Sequence, residues 1–143
     1  MQSNDEHFEG VVLGLDVGDV RIGVARAHTI ARLPEPLTVI DRKNEDALAR
    51  IASLIASETA GLLVIGLPVL PSGDDGLQAR AVREFVASLS ESVKLPYVFV
   101  DGSFTSAEAD TYLASKQWKD QSTNDAIAAC LIIERYFTEV AHV

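Results

Sequence analysis

Three aspartates stand where a folded chain could bring acidic oxygens together: Asp16, Asp101 and Asp125. Asp16 lies inside LGLDVGDVRIGVAR, residues 13–26, which otherwise reads as a hydrophobic hairpin. A carboxylate among residues that should be buried calls for a reason. Asp101 directly follows the apolar run 97–100, and Asp125 falls in the first turn of a C-terminal helix. On a helical wheel Asp125 shares a face with Ala128, Ala129, Ile132 and Tyr136, and the two alanines let that face approach a sheet closely. Two or three carboxylates converging at strand ends hold divalent cations for phosphodiester hydrolysis, where the metal activates water and stabilises the entering and leaving oxygens. Each aspartate also has a simpler reading. Asp16 and Asp101 can close turns through backbone amides, and Asp125 can favour a helix N-terminus electrostatically. Glu108 reads as the partner in a capping box opened by Thr105. Asp19, Asp74 and Asp75 read as solvated loop charges.

The elements that must position these groups follow from the pattern of apolar residues. Residues 11–17 and 21–27 form two strands joined at Gly18-Asp19. A loop over 32–35 carries Pro34, with Pro36 beside it, and a short strand follows over 37–40. Asn44 is the expected cap of a helix to about 57, with Ala47, Leu48, Ile51, Leu54 and Ile55 on one face. A buried strand spans 62–65, a helix about 77–90, a fifth strand 97–100 and a helix about 105–114. A polar link at 118–121 leads to a last helix that begins at Ser122 and ends near 139. The order β-β-β-α-β-α-β-α-α gives an α/β protein: a five-stranded mixed sheet with helices on both faces. Residues 1–9 are polar and acidic and read as a flexible tail, leaving 10–143 as a single domain.

The chain has 143 residues, 48% of them hydrophobic, which suits one domain with a proper core. No apolar run approaches the roughly 20 residues that cross a bilayer, so no membrane partner is expected. Cys130, the lone cysteine, lies in an apolar helical run, reads as a small core residue and fits a reducing compartment. The net charge of −9 repels phosphate, so nucleic-acid binding needs a local basic cluster or metal ions.

Several stretches occur in a telling order: GLDVGDVRIGVA, then VIGLP before a glycine-containing loop and LQARAVREF, then LPYVFVDGSFTSAEA, then NDAIAACLIIERYF. With them the chain resembles the YqgF family, Holliday-junction-resolvase-like proteins also described as pre-16S ribosomal RNA nucleases. The resemblance covers about residues 11–137. It implies an RNase H-like fold, a bacterial cytoplasmic setting and metal-dependent cleavage of structured nucleic acid, by 5′ processing of precursor 16S rRNA, by cutting branched DNA such as Holliday junctions, or both. Asp16 matches the family's first catalytic aspartate and Asp125 its last. The family's middle carboxylate, a glutamate after the fifth strand, is replaced here by Gly102, and the arginine beside it by Ser103. An asparagine usual after the GLP stretch is also absent, since Val69-Leu70-Pro71 stands there. The basic run before the last aspartate is reduced to Lys116 and Lys119, with Trp118 between them.

The expected site is therefore Asp16, Asp125 and Asp101, the last turned inward by a bulge at Gly102. Arg21, Lys116 and Lys119 are expected to hold phosphate. The expected cation is Mg²⁺ or Mn²⁺, with Mn²⁺ favoured because an incomplete ligand set suits Mg²⁺ poorly. Two other functions remain open. One is a catalytically impaired nucleic-acid- or ribosome-associated factor. The other, ranked last, is an ATP-handling protein, because Asp-x-Gly-x-x-Arg-Ile-Gly resembles the phosphate hairpin of actin-like kinases. The chain is expected as a monomer or homodimer, with the apolar surface of 126–137 available for self-association.

Overall fold

A computed structural model describes residues 8–104, 106–116 and 124–140. Residues 1–7 of the tail expected over 1–9, Thr105 with its capping role, the link 118–121 with Trp118 and Lys119, and Ser122 all lie outside the described residues. The element order is β1 (Val11–Val17), β2 (Arg21–His28), β3 (Glu35–Asp41), α1 (Ala47–Glu58), β4 (Ala60–Leu67), α2 (Leu77–Ser92), β5 (Tyr97–Asp101), α3 (Ser106–Lys116) and α4 (Asn124–Glu139). The nine elements match the sequence pattern in kind and order.

The strands lie in one sheet in the order β3-β2-β1-β4-β5. The two hairpin pairings are antiparallel, and β4 joins β1 and β5 in parallel. β3 is longer than its apolar core suggested, running from Glu35 through Pro36. Proline is tolerated because β3 is an edge strand, and the register shifts opposite it, between Val24 and Ala25. The cap of α1 is Asp46, whose side chain accepts from the Ala49 amide, and not Asn44. Asn44 instead donates to Asp41 Oδ2 at 2.6 Å, inside the turn that precedes the helix.

Side-chain alternation divides the core into two layers. On one face Leu13, Leu15, Ile22, Val24, Ile40, Leu63 and Ile65 pack against Ile51 of α1 and Val82, Val86 and Leu89 of α2. On the other, Val12, Ala25, Ala27, Leu62, Val64, Val98 and Val100 pack against Ile127, Cys130, Ile132, Ile133 and Tyr136 of α4. Cys130 is fully buried there, as its surroundings in the sequence suggested. Ala126, Ile127, Ala129, Ile132, Ile133 and Phe137 are buried as well. Most of the apolar side of α4 expected as a surface for self-association is thus packed inside the chain, with Leu131 partly buried. No described helix is long and apolar enough to cross a membrane.

Candidate active site

Glycines bring α4 close to the sheet. Gly14 of β1, Gly23 of β2 and Gly66 of β4 all face it. A Cβ on Gly14 would stand 2.8 Å from the Ala129 carbonyl oxygen. One on Gly66 would collide with Ile132, and one on Gly23 with the Asp125 carbonyl itself. Gly23 pairs across the hairpin with Asp16. The first turn of α4 therefore rests on the backbone directly beside Asp16.

Strand parity turns Asp16 toward α4, near the charge of Asp125. Val12 and Gly14 face α4, so Asp16 does too, while Leu13 and Leu15 face the opposite layer. Burial pushes the Asp16 carboxyl up from its ordinary 3.8 to about 6, and the nearby charge of Asp125 adds to the shift. The turn-closing role is filled by other groups: the Gly18 amide donates to the Arg21 carbonyl at 2.9 Å. Asp125 points toward the sheet as expected and accepts from Arg21 Nε at 2.8 Å. Arg21, expected on phosphate, stands in this structure as the ion-pair partner of Asp125.

Asp101 is not brought to this pair. β4 and β5 stay in register to the end, Leu67 opposite Asp101, with no bulge at Gly102. Parity then groups Asp101 with Tyr97 and Phe99, on the far side from Val98 and Val100. Its Oδ1 accepts from the Ser103 amide at 2.9 Å, closing a turn, and its Oδ2 lies 3.4 Å from Arg135 Nη1. Gly102 instead lines the cleft beside Asp16, with Gly66 opposite, and a Cβ on Gly102 would stand 2.9 Å from the Gly66 backbone. Among the described residues no group of three or more His, Cys, Asp or Glu side chains is placed to hold one metal ion. Lys116 closes α3, and Lys119 lies outside the described residues. Glu108, expected in a capping box, lies 3.6 Å from Arg135 Nη2.

The cleft beside Asp16 is lined by Gly18, Asp19, Arg42, Pro68, Gln78 and Gly102, among others. Arg42 was not foreseen from the sequence. Its Nη1 donates to the Gly18 carbonyl at 2.7 Å, and its guanidinium lies over the Phe85 ring. Register places it there: β3 pairs beside β2 with Asp41 opposite Arg21, so the residue after Asp41 lies at the hairpin tip. Arg135 of α4 was also missed, though it ties Asp101 and Glu108 to that helix and pairs with Glu139 one turn further along it.

The donor set fits a hard divalent cation. Mg²⁺-type ions are commonly held by one or two carboxylates, with water completing the shell. Asp16 and Asp125 supply two carboxylates, one of them short of solvent.

The chain is also similar to known proteins. Residues 10–139 match the family model described as "RuvX: Holliday junction resolvase". A protein of Chloroflexus aggregans named "Putative pre-16S rRNA nuclease" is 38% identical, the match covering 90% of this chain and 93% of that one. A namesake from Picosynechococcus is 39% identical over 87% of this chain and 89% of its own. Among solved structures, Thermus thermophilus RuvC in complex with a Holliday junction superposes with a TM-score of 0.54 at 15% identity, covering 92% of this chain and 97% of that one. The fowlpox virus resolvase, also with junction DNA, gives 0.58 at 9% identity, covering 93% and 99%. These structures share with the chain an RNase H-like fold.

Proposed function

The chain belongs to the RuvX family, and from that premise we propose that it is a divalent-cation-dependent nuclease acting on structured nucleic acid, with precursor 16S rRNA as the first substrate to test. One observation carries the reading: a solvent-poor Asp16 faces Asp125 at the C-terminal end of β1. Charge of like sign is gathered there at a cost to the fold, which a bound cation would relieve.

Asp16 and Asp125 would hold the cation. When bound, it would supply Lewis acidity and neutralise phosphate charge. The protein's own groups do the rest. Arg42 contributes positive charge at the cleft, and Gly66 and Gly102 keep the approach free of side chains. Mn²⁺ is favoured over Mg²⁺ because Mg²⁺ demands near-ideal octahedral geometry and Mn²⁺ tolerates a less regular shell. Precursor rRNA is favoured over branched DNA by relatives at 33–39% identity, whose name gives that substrate. Branched DNA is supported by the family description.

A second reading, a nucleic-acid- or ribosome-associated factor with little cleavage, draws on the absence of a third carboxylate beside Asp16 and Asp125 among the described residues. Cleavage of precursor rRNA and of a four-way DNA junction separates the two, run with Mg²⁺ or Mn²⁺ and over increasing salt. We expect Mn²⁺-favoured cleavage, abolished by Asp16→Asn, and binding that weakens with salt and strengthens with Mn²⁺. Binding without cleavage under every condition selects the second reading. Cleavage that survives Asp16→Asn overturns the first.

A further inference from the structure

Arg21 stands where a divalent cation would act. It opens β2, and its backbone is held by the Gly18 amide on one side and by pairing with Asp41 on the other. The side chain leaves this anchored point and places Nε on Asp125 Oδ2 at 2.8 Å. The Arg21 side chain is 59% exposed, that of Asp125 28%. One end of the pair thus lies toward solvent, and the other is carried by the first turn of α4.

A cation on Asp125 would share its carboxylate with the guanidinium, and two like charges that close repel. An exposed ion pair is weak enough to exchange for a better partner. A phosphate diester is such a partner, since arginine binds phosphate oxygens through two parallel N–H donors. We propose that Arg21 is an internal counter-ion that occupies Asp125 until a phosphate of the nucleic acid draws it away, so that divalent cation and nucleic acid bind cooperatively. The proposal rests on the reading of Asp16 and Asp125 as the cation site. It unites the role expected for Arg21, holding phosphate, with the contact it makes in the free protein. Coupling of this kind is reciprocal: whatever factor nucleic acid adds to cation affinity, the cation adds to nucleic-acid affinity.

The test measures free Mn²⁺ by electron paramagnetic resonance against the full chain, so it does not depend on cleavage. Arg21→Ala and Arg21→Gln should bind Mn²⁺ more tightly than the parent, by roughly three- to fivefold, the scale of an exposed ion pair. Arg21→Lys, which keeps the charge, should bind as the parent does. A phosphorothioate-linked RNA hairpin should tighten Mn²⁺ binding by a larger factor in the parent than in Arg21→Ala. Weaker or unchanged Mn²⁺ binding in both neutral variants overturns the counter-ion role, and weaker binding would make Arg21 a positioning residue for Asp125. Asp16→Asn keeps this failure distinct from failure of the site. If it loses Mn²⁺ while the Arg21 variants bind no tighter, only the counter-ion role falls. If it binds Mn²⁺ like the parent, the cation site itself falls.

Discussion

Two aspartates finish two strands of the same sheet, and their fates differ. Asp16, near the end of β1, is turned toward α4, drawn from solvent and set beside another carboxylate. Asp101, at the end of β5, is exposed, accepts a backbone amide and lies against Arg135. Both have a glycine close at hand, and both read alike in the sequence as a turn former or a ligand. One residue of strand parity separates them. Asp16 falls on the α4 face in phase with Val12 and Gly14, whereas at the β5 exit that phase belongs to Gly102. A carboxylate with a nearby cation and amide has its charge compensated. One buried beside a like charge carries an electrostatic cost.

The sharpest way to break the comparison is to fill the two glycines. Gly23→Ala drives a methyl group into the Asp125 carbonyl and must push the N-terminus of α4 off the hairpin. We expect a loss of about 3 kcal/mol or more, the upper end for overpacking, read by urea denaturation, with cation binding lost as Asp125 moves. Gly102→Ala meets the backbone of Gly66 at 2.9 Å and of Leu67 at 3.1 Å, so β4 or the β5 exit must shift, though the approach is less close than at Gly23. It should cost about 2 kcal/mol. Equal costs at the two sites would mean that the corner beside Asp16 is no more tightly built than the β5 exit.

A smaller effect sharpens the contrast in charge. Asp16 has a carboxyl raised from 3.8 to about 6, first by burial and then by Asp125. Between those values the folded chain keeps a proton that the unfolded chain has released. Stability without metal therefore falls as pH rises through this window, and levels off above about 6. Asp16→Asn escapes the loss, so it should be more stable than the parent at pH well above the window. At about 1.4 kcal/mol per tenfold change in proton affinity the ceiling is about 3 kcal/mol, and partial exposure brings the expected gain to about 1–2 kcal/mol. Melts of both proteins with chelator at either end of the window check it. A variant that loses stability at high pH would show that the Asp16 charge is matched in the free protein. Divalent cation should narrow the gap by stabilising the parent alone.

The smallest effect is expected at Asp101. Asp101→Asn keeps an oxygen for the Ser103 amide and gives up only an exposed ion pair with Arg135. It should cost less than about 1 kcal/mol and leave cleavage within a few-fold of the parent. Loss of cleavage comparable to that in Asp16→Asn would place Asp101 in the site after all, through a rearrangement of the β5 exit on binding.

Much of the architecture was legible because it rests on local pattern. Alternating apolar residues with Gly18-Asp19 specified the hairpin, and apolar faces in 3.6-residue period specified α1, α2 and α4. Element ends were less legible. Asp46 and Asn44 are both good caps, and which one is used depends on where the Asp41 turn lets the helix begin. β3 runs through Pro36 because it lies at the sheet edge, a fact of strand order and not of local preference.

The candidate site divides in the same way. By itself the sequence determined that Asp16 ends a buried strand and that Asp125 opens a helix whose small-residue face can lie close to a sheet, because burial and periodicity are properties of neighbouring residues. Only the tertiary structure decided which groups meet. Gly23 admits the Asp125 backbone beside Asp16, Arg21 reaches across 104 positions to the same carboxylate, and Arg42 closes on the hairpin tip from β3. Asp101 goes to Arg135, 34 positions away, for the same kind of reason. Such pairings depend on strand order, register and the depth at which a helix packs, and these are settled by burying all the apolar faces at once, which no single stretch of sequence encodes.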